Sequence, residues 1–81
     1  MDLKIPDHLS PIRNCIEKRY MADETFRDVY NDFLTYLDAH RFWSHNSMDV
    51  APVRRREYAQ LVSELEEELI QMLKKGSDEA Y

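Results

Sequence analysis

The sequence predicts an all-α protein: two long antiparallel helices behind a short N-terminal helix, with a second copy expected to complete a four-helix-bundle-like dimer. Three observations predict this. The 81 residues contain one Gly and three Pro, few turn-formers for a chain otherwise rich in Leu, Glu, Arg, Met, Ala and Lys, which are good helix residues. Apolar residues recur at helical spacing and never alternate as in a strand. Finally, the chain makes a single domain with a modest core, because a chain of ~60 residues buries only ~60% of its unfolded surface. One cysteine, Cys15, cannot close an intrachain disulfide. Extra stability must then come from a metal, a partner chain or unusually good helix packing.

The elements follow in order. Ser10-Pro11 pairs a capping hydroxyl with a proline suited to a first turn, and predicts a helix over 10–21. Ile12, Cys15, Ile16 and Arg19 form its narrow stripe, edged by Leu9 and Tyr20. Asp23 is the expected cap of a second helix over 24–43, with Glu24 near the positive end of its dipole. At about 100° per residue, Phe26, Val29, Tyr30, Phe33, Leu34, Tyr36, Leu37 and His40 share one broad side. That side is wider than one neighbouring helix covers, so it predicts burial from two directions. The stretch "SHNSMDVAP" supplies cap and turn residues for a linker over 44–51. A third helix over 52–75 follows, started by Ser47 or Asp49, tolerating Pro52 in its first turn and stopped by Gly76. Tyr58, Leu61, Val62, Leu65, Leu69, Met72 and Leu73 make its stripe, with Ile70 apart. Residues 76–81 read as a frayed tail.

Composition bounds the function. No run of about 18 apolar residues is present, so neither a membrane span nor membrane contact is expected. The start "MDLKIPDHLSP" lacks the basic and apolar regions of a signal peptide, and a cytoplasmic protein with a reduced thiol is the expectation. Sixteen acids against eleven bases give a net charge of −5, which weighs against nucleic acid as the main partner. One Gly precludes a glycine-rich phosphate cradle. No catalytic, cofactor or metal site is expected. His40 and His45 stand five apart rather than three or four, no Glu-x-x-His occurs, and Cys15 lies on an apolar stripe.

Two clusters remain. Phe42 and Trp43 at the end of the second helix read equally as a satellite core under the linker and as an exposed docking patch. Arg54, Arg55 and Arg56, in "APVRRREY", have three readings. They are a small nucleic-acid patch with Trp43, a set of ion-pair partners, or a solvated run with Arg54 paired to Glu57 within the helix. For the second reading, two antiparallel copies of the third helix crossing at Leu61 set Arg54 near Glu68, Arg55 near Glu67 and Arg56 near Glu66. A two-fold interface demands such symmetry. Tyr58, Leu61, Leu65 and Leu69 would supply the apolar contact of this homodimer. His40, Phe42, Trp43 and Arg54–Arg56 form the corner expected to dock a protein partner.

The segments "VYNDFLTYL" and "REYAQLVSELEEEL" resemble small uncharacterised bacterial all-helical proteins over roughly residues 20–73. The resemblance implies a helical bundle and transfers no functional residue. The expected function is a protein–protein interaction module that self-associates and has no catalytic activity. The alternative is a nucleic-acid-associated regulator using Arg54, Arg55, Arg56 and Trp43.

Overall fold

The computed structural model describes the backbone of residues 3–79 and the side chains of residues 3–75. It is all-helical. A 3-10 helix, Asp7–Ile12, leads into α1 (Arg13–Ala22), α2 (Glu24–Ser44) and α3 (Ala51–Glu79). The first helical segment therefore starts earlier than Ser10, and Pro11 lies inside the 3-10 turn. No side chain caps either the 3-10 helix or α1. Proline needs no donor in a short 3-10 turn, so the signal read as an α-helix start served a tighter helix instead.

Asp23, in extended conformation, separates α1 from α2. Its Oδ1 accepts the Phe26 amide at 3.2 Å, and its Oδ2 accepts from Arg19 Nε at 2.8 Å. The Arg19 bond, then the amide, hold its carboxyl below the usual aspartate range. The cap thus also ties the last turn of α1 to the first of α2.

At the other end, α3 runs past Gly76 to Glu79, so the expected stop fails. Glycine in a helix costs about 1 kcal/mol against alanine but does not end it unless the chain turns to positive φ. No described residue does so. Residues 80–81 of the expected tail lie outside the described residues.

The core is Leu9, Ile16, Phe26, Tyr30, Phe33 and Leu69. Phe26, Tyr30 and Phe33 are fully buried. The broad side of α2 is covered from two directions by its own chain: α3 on one flank, and the N-terminal segment with α1 on the other. Leu3, Ile5, Ile12 and Tyr20 pack on the core from the second flank, and Val62, Leu65, Ile70, Met72 and Leu73 from the first. Ile70, expected apart from its stripe, faces the core because the N-terminal segment reaches round to that side of α3.

Cys15, expected buried, is exposed. With α1 beginning only at Arg13, its single fully inward position is Ile16, and Cys15 falls about 100° off that line.

Polar bonds fasten the N-terminal segment. Tyr30 donates its hydroxyl to the Lys4 carbonyl at 2.5 Å, Lys4 Nζ meets Asp38 at 3.1 Å, and His8 pairs with Glu66. Burial pushes the Tyr30 phenol up to about 12. Arg27 donates to the Tyr20 carbonyl at 3.1 Å and lies over the Tyr20 ring, 5.6 Å from its centroid.

The molecule measures 51 × 23 × 21 Å. At 1.5 Å per residue α3 is about 43 Å long, so it must lie along the long axis. Tyr36 and Tyr58 pack with ring centroids 6.0 Å apart. That contact sets the antiparallel register of α2 and α3, placing Arg41 level with Val53. The N-terminal segment reaches as far as Leu37 and Arg41, beside which Lys4, Ile5 and His8 line a depression of about 500 Å3. From Phe42 to Glu57 every side chain is exposed except those of Trp43, Ser44, Asn46 and Ala51.

Candidate interaction site

The end of the hairpin is built by short-range bonds. Ser44 Oγ donates back to the His40 carbonyl at 2.8 Å, and the His45 amide bonds the Phe42 carbonyl at 3.2 Å, closing α2. Asn46 Oδ1 then accepts the Met48 amide at 2.8 Å, a local turn that asparagine favours. The Ala51 amide bonds the Met48 carbonyl at 2.9 Å and starts α3. Asn46, rather than Ser47 or Asp49, is thus the polar side chain that organises the linker. Ala51, fully buried, seats the turn between the helices.

This compact turn leaves large apolar side chains outside. Phe42 is 58% exposed, Met48 59% and Val53 60%, and Val50 is exposed beside them. Phe42 packs edge-to-face on Trp43, with centroids 5.0 Å apart, and Trp43 is half-buried. The pair is therefore a surface patch and not a satellite core. The expected docking corner is present in Phe42, Arg54, Arg55 and Arg56, all exposed, while His40 and Trp43 are half-buried.

Met48, Val50 and Val53 were missed. Their signal was available, since none belongs to any helical stripe and all sit in or beside a stretch otherwise rich in turn residues.

The arginines surround this patch. Arg54 Nη1 bonds Glu57 Oε2 at 3.2 Å within α3. Among the described residues Arg55 and Arg56 have no ion-pair partner. Three consecutive helical residues point about 100° apart, so the triplet spreads over about 200° of the circumference of α3 instead of lining one face. Arg41, exposed on α2 at the level of Val53, extends the same belt.

The expected self-association surface is divided. Leu69 is 3% exposed, Leu65 packs on the core, and Tyr58 lies against Tyr36. These three face α2 of their own chain. Glu66 pairs with His8, which takes it from the expected partnership with Arg56. Arg55 and Glu67 lie well to either side of the Leu61 line on the helix, whereas Arg54 and Glu68 both lie within about 20° of it. Leu61 itself is 36% exposed and shares a shallow depression of about 280 Å3 with Glu57, Gln60 and Glu64. Of the expected contact, Leu61, Arg54 and Glu68 share an open edge.

Among the described residues no group of three or more His, Cys, Asp or Glu side chains is placed to hold a metal ion. No described helix is long and apolar enough to cross a membrane. No family model, curated protein or solved structure matches the chain.

Proposed function

We propose that the chain is a helical interaction module, acting by binding rather than catalysis, whose working surface is the exposed end of the α2–α3 hairpin. One observation carries this reading. Of the six large apolar side chains left exposed among the described residues, Phe42, Met48, Val50 and Val53 gather at that end, and Met21 and Leu61 lie elsewhere. Contiguous exposed apolar surface marks a contact site, and isolated apolar residues do not. A photo-crosslinking side chain at Val53 tests the reading in the native cells, with the same group at exposed Lys18 as the control. Adducts from position 53 alone are expected. Equal or absent adducts at the two positions would overturn it. On the alternative reading, a nucleic-acid-associated regulator using Arg54, Arg55, Arg56 and Trp43, the adducts at 53 are nucleic acid. Among the described residues Arg55 and Arg56 have no ion-pair partner, and this favours that alternative.

A self-association through α3 belongs to the same proposal. Leu61 is exposed between Arg54 and Glu68, each seven residues away, so an antiparallel second copy brings opposite charges together. Two hairpins joined there make a four-helix-bundle-like dimer. Exposed pairs contribute only ~0–1 kcal/mol each and fix register more than affinity. Light-scattering mass checks it: Arg54→Glu should give monomer, and adding Glu68→Arg should restore the dimer. A natural chain that is monomeric at all concentrations would end this part.

A further inference from the structure

The exposed end has a shape and charge pattern that narrow its partner, on the reading that it is the working surface. Met48 and Val50 sit foremost along the long axis, Phe42 and Val53 lie level with Arg41 and Arg54, and Arg55 and Arg56 sit behind. Val50 precedes Arg54–Arg56 by four to six residues, which along a helix is about 6–9 Å. The arginines point in three directions around α3, and Arg41 stands on the neighbouring helix. A protein groove meets one side of a helix and would reach one or two of these. A flat surface that is anionic outside and apolar within would meet all four while receiving the tip.

We infer that this end docks on the surface of an anionic lipid bilayer. Met48 and Val50 enter the boundary between headgroups and acyl chains, with Phe42 and Val53 at its edge. The belt of Arg41, Arg54, Arg55 and Arg56 lies among the anionic headgroups. The spacing matches the roughly 5–10 Å to which interfacial apolar faces are immersed. Trp43 has the ring chemistry enriched at that boundary.

Residues 40–57 hold four arginines against two acids, Asp49 and Glu57, the second of them paired with Arg54, although the whole chain carries −5. The acidic run beginning at Glu64 lies ten residues behind Arg54, or about 15 Å. That exceeds the ~8 Å over which exposed charges act at physiological salt. The end is thus net basic, with Arg41, Arg55 and Arg56 outnumbering Asp49 once Arg54 is paired with Glu57, and the longer acidic run stands behind it. The expectation of no membrane contact rested on the lack of a spanning helix, and interfacial docking needs none.

Trp43 is the sole tryptophan, so its emission reports on this end alone. Adding phosphatidylglycerol vesicles to the full chain should shift that emission to shorter wavelength, and phosphatidylcholine vesicles should not. Partitioning should fall about fivefold for each of Arg55→Gln and Arg56→Gln, since a cation near such a surface contributes about 1 kcal/mol. Val50→Asp with Val53→Asp should abolish the shift while leaving the thermal melt in place, because both side chains are exposed. Equal response to both lipids, or indifference to the arginine changes, would overturn the inference. If phosphatidylglycerol is silent but polyglutamate or a single-stranded oligonucleotide shifts Trp43, the lipid is wrong and the exposed end remains a binding surface. If none of the three probes acts, both readings fall.

Discussion

α2 is one continuous helix with two different surroundings. Between Phe26 and Phe33 it is covered by α3 on one flank and by α1 with the N-terminal segment on the other, and its aromatic rings are fully buried. From Phe42 onward it has only α3 beside it, and Phe42 stays exposed. Both regions carry large aromatic side chains, and what distinguishes them is the third layer. Residues 3–22 cover one part of the hairpin and leave its end without them. Where that layer is present, apolar residues hold the fold together. Where it is absent, Phe42, Met48, Val50 and Val53 stay about half or more exposed and add little to the core, which is the observation behind the binding role proposed above. Local opening is also easier where few apolar contacts are buried, and surfaces that bind are commonly drawn from such regions.

The comparison breaks most readily at the aromatic cluster. Phe33→Ala removes a fully buried ring between two layers and should cost about 3–5 kcal/mol, a large part of what a domain this small possesses. Phe42→Ala should change stability by less than about 0.5 kcal/mol. Urea denaturation of both variants measures the contrast. Similar losses for the two would mean that the hairpin end is packed as tightly as the middle.

Next in size is the response to alkali. Burial pushes the Tyr30 phenol up to about 12, from an ordinary value of 10.0. The folded state therefore favours the protonated form. The contribution is fully present below pH 10 and is lost as pH rises through 12. Its size follows from about 1.4 kcal/mol for each pH unit of difference, on the order of 2–3 kcal/mol. The hydroxyl that would ionise is the one donated to the Lys4 carbonyl, so the N-terminal layer should release as the stability falls. Tyr30→Phe should lower neutral-pH stability by about 1 kcal/mol, for one hydrogen bond, and flatten the alkaline loss. An unchanged alkaline profile in Tyr30→Phe would show that another group governs it.

Much of this division was legible in the residues. The all-helical class, the Asp23 cap and the broad side of α2 all followed from composition and the 3.6-residue period. That breadth also foretold cover from two directions, though not which elements supply it. Long-range placement was not legible, because periodicity shows which face is apolar and not what meets it. The N-terminal segment illustrates this: Tyr30 bonding Lys4, and His8 meeting Glu66, join residues far apart in sequence, and no local pattern announces them. Cys15 was misplaced because a start assumed near Ser10 made α1 longer than it is. Gly76 was misread because its stop requires positive φ, which α3 never adopts there. At the candidate site, the arginines were conspicuous. Met48, Val50 and Val53 belong to no helical stripe, which the sequence shows, but that Ala51 alone fills the inside of the turn is a fact of the fold.

The smallest expected effect is the sharpest test of the comparison. Met48→Ser and Val53→Ser alter residues that are 59% and 60% exposed, and each should leave the urea midpoint within the equivalent of about 0.5 kcal/mol. Replacing an apolar side chain with a small polar one at a buried position would cost several times more. Amide exchange adds spatial detail: protection should be high through 26–37 and 62–73, low through 45–53, and unmoved by either substitution. If instead Val53→Ser loosens exchange in the aromatic cluster, the hairpin end is coupled to the core and its apolar residues serve the fold after all. If stability and exchange hold while the adducts at this end vanish, those residues are spent on contact with something other than their own chain.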